Sequence, residues 1–147
     1  MKLKLAIIVS TYYTKVSEKL LKGSLKVLND HGIKNSVKII NVPGTFEIPV
    51  TISRNIDSYD GFIALGCIIK GKTPHFNFLS RTVTNGLMNL SISSKKPIGN
   101  GIITCLNKKQ AYIRSHPTKK NKGKEATIAL LSVLKILKKN YVGSWNS

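Results

Sequence analysis

Nine consecutive residues, Gly61-Phe62-Ile63-Ala64-Leu65-Gly66-Cys67-Ile68-Ile69, form an almost unbroken apolar run. A strand that does not alternate polar with apolar side chains must be covered on both faces, and a parallel sheet between helical layers does this. The run is therefore predicted to be the central strand of an α/β protein. Leu3 to Val9 reads as a first buried strand, after which Val16, Leu20, Leu21, Leu25 and Leu28 recur at helical spacing until His31-Gly32 supplies a stop. Ser36 to Val42 reads as a second strand, and Pro43-Gly44 turns the chain into a short helix through Ile48, Ile52 and Ile56. A long helix is expected from Pro74 to Ser93, with Thr73 as its cap and Pro74 at its first position. Pro97 to Thr104 supplies a fourth strand. A short helix from Lys108 to Ile113, a polar connection from Arg114 to Lys122, and a closing helix carrying Ala126, Ala129, Leu130, Val133, Leu134 and Leu137 complete the pattern. Strands alternating with helices imply a parallel sheet with right-handed crossovers. A length of 147 residues suits one core, and no linker interrupts it, so residues 1–147 are read as a single domain with Gly143-Ser147 as a mobile tail.

With 41% hydrophobic residues the chain can bury enough apolar surface to offset chain ordering, which excludes a disordered protein. Leu5-Ala6-Ile7-Ile8-Val9 is too short to span a membrane and no small-residue cleavage site follows it, so a cytoplasmic protein without a membrane partner is expected. Cys67 and Cys105 are the only cysteines; their spacing matches no metal or redox motif, and both are read as reduced and packed. The formal net charge of +18, from 24 Lys plus Arg against 6 Asp plus Glu, has two readings. A positive field attracts polyanions or phosphorylated molecules. Alternatively it reflects drift toward a Lys-, Asn- and Ile-rich composition. The lysines are scattered and lack the aromatic interleaving of single-strand binders, so no nucleic-acid partner is expected.

In an open parallel sheet, ligands bind beyond the carboxyl ends of the strands. That rule brings Thr11-Tyr12-Tyr13, Pro43-Gly44-Thr45-Phe46-Glu47, Lys70-Gly71-Lys72-Thr73-Pro74-His75-Phe76 and the stretch after Thr104 to one rim. Gly71 permits a close turn, Thr73-Pro74 opens a helix whose free amides can hold a phosphate, and Lys70 and Lys72 add charge. An ordinary βα turn would carry the same residues. His75, in the first helical turn, is a candidate general acid or base, because imidazole titrates near neutral pH. Glu47 follows a turn and opens a helix, where its carboxylate is favoured and can accept hydrogen bonds from hydroxyls. Arg114 is one of only three arginines among many lysines, as a bidentate grip on phosphate would require. Glu47 and Arg114 also fit a plain helix-terminal charge and a plain surface charge, respectively.

Three segments in collinear order resemble the lumazine synthase family. Val42-Pro43-Gly44-Thr45-Phe46-Glu47-Ile48-Pro49 is similar to a motif that usually has Ala at the Thr45 position. Ala64 to Ile69, continued through Gly71, Thr73, His75 and Phe76, resembles the family's phosphate and catalytic segment. Asn121-Lys122-Gly123 with Glu125 and Ala126 resembles the start of its last helix. The resemblance covers nearly the whole chain and is specific in combination.

It implies a three-layer αβα sandwich with a flavodoxin-like, four-stranded parallel sheet. It also implies a transferase that condenses 5-amino-6-(D-ribitylamino)uracil with 3,4-dihydroxy-2-butanone 4-phosphate to 6,7-dimethyl-8-ribityllumazine, phosphate and water in riboflavin biosynthesis. No metal or organic cofactor is implied. By motif position, Tyr12 would stack on the pyrimidine, Thr45, Phe46 and Glu47 would line the ribityl site, and backbone groups near Cys67 and Ile68 would read the uracil edge. Lys72, Thr73 and Arg114 would hold the phosphate. His75 would move protons, with Glu125 as partner and Lys122 nearby. The family builds homopentamers with sites between neighbours, some assembled into 60-subunit shells. A pentamer is expected here, while the shell stays open because the family's N-terminal strand-adding segment is shortened. The chain departs from the pattern at Thr11, Tyr13 and Lys70. It departs again at Asn100, which with Lys122 joins the aminouracil and ribityl contacts by motif position but stands where a neighbour-facing aromatic is typical, and at residues 115–120, which replace a Gly-rich stretch. A non-catalytic flavodoxin-like binder and a charge-driven nucleic-acid binder are the competing readings.

Overall fold

A computed structural model describes residues 3–140. The Gly143-Ser147 tail lies outside the described residues. In chain order the elements are β1 (Leu5–Ser10), α1 (Thr14–Asp30), β2 (Val37–Val42), α2 (Ile48–Arg54), β3 (Gly61–Ile69), α3 (His75–Ser94), β4 (Ile98–Cys105), α4 (Lys108–Ser115) and α5 (Lys122–Asn140). Short 3₁₀ turns at Lys34–Ser36 and Thr45–Glu47 precede β2 and α2.

The four strands are all parallel and ordered β2-β1-β3-β4, so β1 and β3 are central, as their continuous apolar runs require. Alternate side chains serve the two faces. Leu5, Ile7, Ile63, Leu65, Cys67 and Ile103 pack with residues of α1, α4 and α5. Ala6, Ile8, Phe62, Ala64 and Ile68 pack with Ile48 and Ile52 of α2 and with Val83 and Leu87 of α3. The result is the expected three-layer αβα sandwich.

Helix ends follow local chemistry, with two corrections. α1 stops as expected at His31-Gly32. Gly32 has φ +72°, and Ile33 N donates back to the Leu28 carbonyl at 2.9 Å, closing the last turn. α3 begins one residue later than expected, with Pro74 itself in the cap position and no side-chain cap, so Thr73 does not cap the helix. Pro74 has no N–H to satisfy, and its carbonyl accepts from Asn77 N at 3.1 Å. α2 ends at Arg54, before Ile56, which instead packs against the second core from the following turn.

α1 and α5 approach closely because Gly123 faces the backbone of Leu20; a Cβ there would lie 2.1 Å from the Leu20 carbonyl oxygen. The seam is joined by a buried hydrogen bond between the Ser24 and Thr127 hydroxyls, 2.6 Å long. Asn121 caps α5 by accepting from Lys124 N at 2.9 Å, while its Nδ2 donates to the carbonyls of Lys19 and Ser115. These contacts fix the start of α5 against α1, and with it the positions of Lys122 and Glu125.

Candidate active site

β3 extends four residues beyond Leu65, its last residue paired with β1 (to Val9), so the main chain of residues 66–69 is open on that side. A cleft of about 600 Å³ sits there, lined by Tyr12 and Tyr13 from the β1 end, Gly44, Thr45 and Phe46 from the β2 end, and Cys67, Ile68 and Ile69. Gly71, Thr73, His75, Phe76 and Leu79 close it from the α3 side. Three of the four expected rim segments therefore meet. The Thr45 turn approaches the strand closely because Gly66 has no side chain; a Cβ there would stand 2.8 Å from Thr45 Cγ2.

Tyr12 is the exposed wall, 73% accessible, with its ring edge-on to Tyr13 at 4.9 Å and 80°. A free aromatic face beside an open strand end can stack on a planar heterocycle while the peptide groups meet its polar edge. Burial, followed by the neighbouring Tyr12 and Cys67, raises the pKa of Tyr13. The Cys67 thiol is pushed up to about 12, first by burial and then by Cys105, so it remains a neutral wall atom with no thiolate to act as nucleophile. Glu47 is not part of the cleft lining. It borders an adjoining groove of about 340 Å³ with Phe46, Pro49 and Val50 from its own segment and Thr82, Val83 and Gly86 from α3. Its Oε1 nevertheless lies over Gly44, since a Cβ added there would stand 3.1 Å away, and this sets the carboxylate at the cleft's lip.

The fourth segment forms a separate site. Asn100, Ile102, Ile103 and Thr104 of β4, with Arg114, Lys120, Lys122 and Glu125, line a second cleft of about 400 Å³ along the free edge of β4. Arg114, at the end of α4, donates from Nη1 to the Thr104 carbonyl at 3.1 Å, which fixes the guanidinium beside the strand. Lys122 and Glu125 pair loosely at 3.8 Å.

Within one chain, the sequence-derived groupings are divided. His75 is in the first cleft and Glu125 in the second. Thr73 lines the first cleft and Arg114 the second, while Lys72 is exposed on the loop and lines neither. Tyr12, Thr45, Phe46, Cys67 and Ile68 stand apart from Asn100 and Lys122. The reason is topological: β4 is an edge strand, and the ends of α4 and α5 reach its outer side while α3 closes the inner strands. Sequence reasoning missed Leu79, Ile102, Ile103, Thr104 and Lys120 as lining residues. Leu79 was findable, being one helical turn after His75 on the same face; Lys120 gave no comparable signal.

An aromatic-walled cleft over the open end of a central parallel strand, with an imidazole at the start of the next helix, defines an α/β protein whose strand ends have the shape to receive a small planar molecule. The comparisons make the class specific. Residues 2–138 match the family model described as 6,7-dimethyl-8-ribityllumazine synthase, and the chain belongs to that family. It is similar to the 6,7-dimethyl-8-ribityllumazine synthase of Pseudarthrobacter chlorophenolicus, 38% identical over 92% of this chain and 85% of the relative. It is likewise similar to the enzymes of that name from Renibacterium salmoninarum, 39% identical over 88% and 86%, and Bartonella bacilliformis, 39% identical over 92% and 90%.

Proposed function

We infer that this protein, acting as a single domain over residues 1–147, is a transferase that condenses 5-amino-6-(D-ribitylamino)uracil with 3,4-dihydroxy-2-butanone 4-phosphate to 6,7-dimethyl-8-ribityllumazine, phosphate and water. It does so where the first cleft of one protomer meets the second cleft of a neighbour in a homopentamer. The observation that carries this reading is the division of one set of reactive groups between two clefts at different places on the chain. Exposed Phe46, Val50, Phe78, Met88 and Ile92 support burial between protomers. α3 supports it too, carrying Arg81 as its only Lys or Arg in a chain of net charge +18. No helix among the described residues is long and apolar enough to cross a membrane, and the two free thiols, Cys67 and Cys105, suit a reducing cytoplasm.

In this arrangement Tyr12 stacks on the pyrimidine while main-chain groups at Cys67 and Ile68 meet its polar edge. Thr45, Phe46 and the Glu47 carboxylate take the ribityl chain. Thr73 with the adjacent Lys72 and the neighbour's copy of Arg114 hold the phosphate, and the neighbour's Asn100, Lys122 and Glu125 close the site. The amine attacks the ketone and the carbinol hydroxyl leaves as water to give an imine; the C–O bond to phosphate then breaks, and attack of the ribitylamino nitrogen with loss of a second water closes the ring, with the His75 imidazole in the first cleft moving the protons. Holding amine and ketone in register can supply about 7–11 kcal/mol. His75→Ala is accordingly expected to lower kcat by about ten- to a hundredfold without abolishing turnover, followed by lumazine fluorescence. No turnover despite normal substrate binding would contradict this.

The shared site has a sharper test. His75→Ala and Arg114→Ala disable opposite halves, so co-expressed in equal amounts they leave about one quarter of the interfaces with both halves intact. Activity of the mixture should rise to about a quarter of the native value, above either variant alone, in particles with the native mass of five chains or a multiple of it. Activity equal to the mean of the two variants would sink the reading.

A further inference from the structure

The connection between α4 and α5 makes several hydrogen bonds within itself and to the start of α5. Thr118 N and Oγ1 meet His116 Nδ1 at 3.2 and 3.1 Å, Lys119 N donates to the His116 carbonyl at 3.2 Å, and Asn121 N donates to the Lys119 carbonyl at 3.1 Å. Asn121 Nδ2 ties the far end to the Ser115 carbonyl at 2.8 Å. The path of this loop brings Lys120 to the lining of the second cleft with Arg114, Lys122 and Glu125.

The cleft contains three cations and one carboxylate. Lys122 is paired with Glu125, whereas among the described residues neither Arg114 nor Lys120 has a carboxylate partner. A phosphate monoester carries roughly 1.5 to 2 negative charges near neutral pH, and the two unpaired cations match it. We propose that Lys120 is a second phosphate-holding cation beside Arg114, gripping the butanone phosphate as it binds and the inorganic phosphate as it leaves. This rests on the reading of the Arg114 cleft as the phosphate side of the shared site. Arg114 supplies directional donors, and Lys120 supplies a point charge on a flexible stem that can follow the group through the reaction.

Steady-state kinetics with each substrate varied, plus inhibition by inorganic phosphate, tests the assignment. Lys120→Gln should raise KM for the butanone phosphate and the inhibition constant of inorganic phosphate about fivefold, leaving KM for the pyrimidine within about twofold. Lys120→Arg should restore both values. Lys119→Gln, which removes an exposed neighbouring charge outside the cleft, should have no such effect. Unchanged phosphate-substrate KM in Lys120→Gln, equal effects of Lys119→Gln and Lys120→Gln, or an equal rise for both substrates would each overturn the proposal. Arg114→Ala keeps the two inferences separable. If it raises phosphate-substrate KM while Lys120→Gln does not, only the Lys120 assignment falls; if neither variant does, the phosphate reading of the cleft falls too.

Discussion

Gly123→Ala is expected to lower the stability of the protein by about 3 kcal/mol, against a typical total of about 5–15 kcal/mol for a folded domain. In an exposed helix the same change would add about 0.5–1 kcal/mol, because Ala orders more cheaply than Gly. Here the new methyl would meet the Leu20 carbonyl oxygen at 2.1 Å and its carbon at 2.9 Å, both main-chain atoms inside α1. Leu20 is fully buried, so α1 cannot move aside without opening the core. Separating the helices instead would stretch the Ser24–Thr127 hydrogen bond and draw Asn121 away from the Lys19 carbonyl. Thermal unfolding should show a midpoint lower by about 10 °C. A midpoint at or above the native value would mean that the helix gain outweighs the clash, and that the α1–α5 seam is looser than its geometry implies. Lys122 and Glu125 lie within two residues of Gly123, so activity should fall below what loss of folded protein accounts for.

Arg114→Ala should reduce kcat/KM for the butanone phosphate about a hundredfold, the effect of losing a charge-assisted, directional grip of about 2.7 kcal/mol. Its Nη1 is engaged with the Thr104 carbonyl, which orients the remaining donors instead of consuming them. Arg114→Lys keeps the charge without the planar fork and should recover about tenfold of the loss. Because the side chain is exposed, both variants should melt within about 3 °C of the native protein. An Arg114→Ala enzyme with native KM for the phosphate substrate would remove Arg114 from the site.

Much of the architecture was legible in local pattern. The nine-residue run at Gly61–Ile69 became a central strand, and three of four rim segments converged where strand ends demand. Glu47 was identified as a helix-opening carboxylate, yet the curl of the Thr45–Glu47 turn sets it in a groove beside the cleft. Thr73 has the composition of a cap, but α3 starts one residue later, so Pro74, which has no side-chain acceptor, takes the cap position.

What the sequence determined by itself was the order of strands and helices, the buried side of each, and the residue types gathered at the carboxyl ends. Those properties are encoded over short spans, where side-chain periodicity and turn chemistry act directly. Only the tertiary structure decided which residues share a cavity: Arg114, Lys120 and Glu125 lie along the outer edge of β4 while Tyr12 and His75 lie over β3. It also decided that Gly123 must lack a side chain, because the atom that forbids one belongs to Leu20 in another helix. Periodicity reports that a face is covered without naming what covers it, and contacts between distant parts of a chain exist only once the layers close.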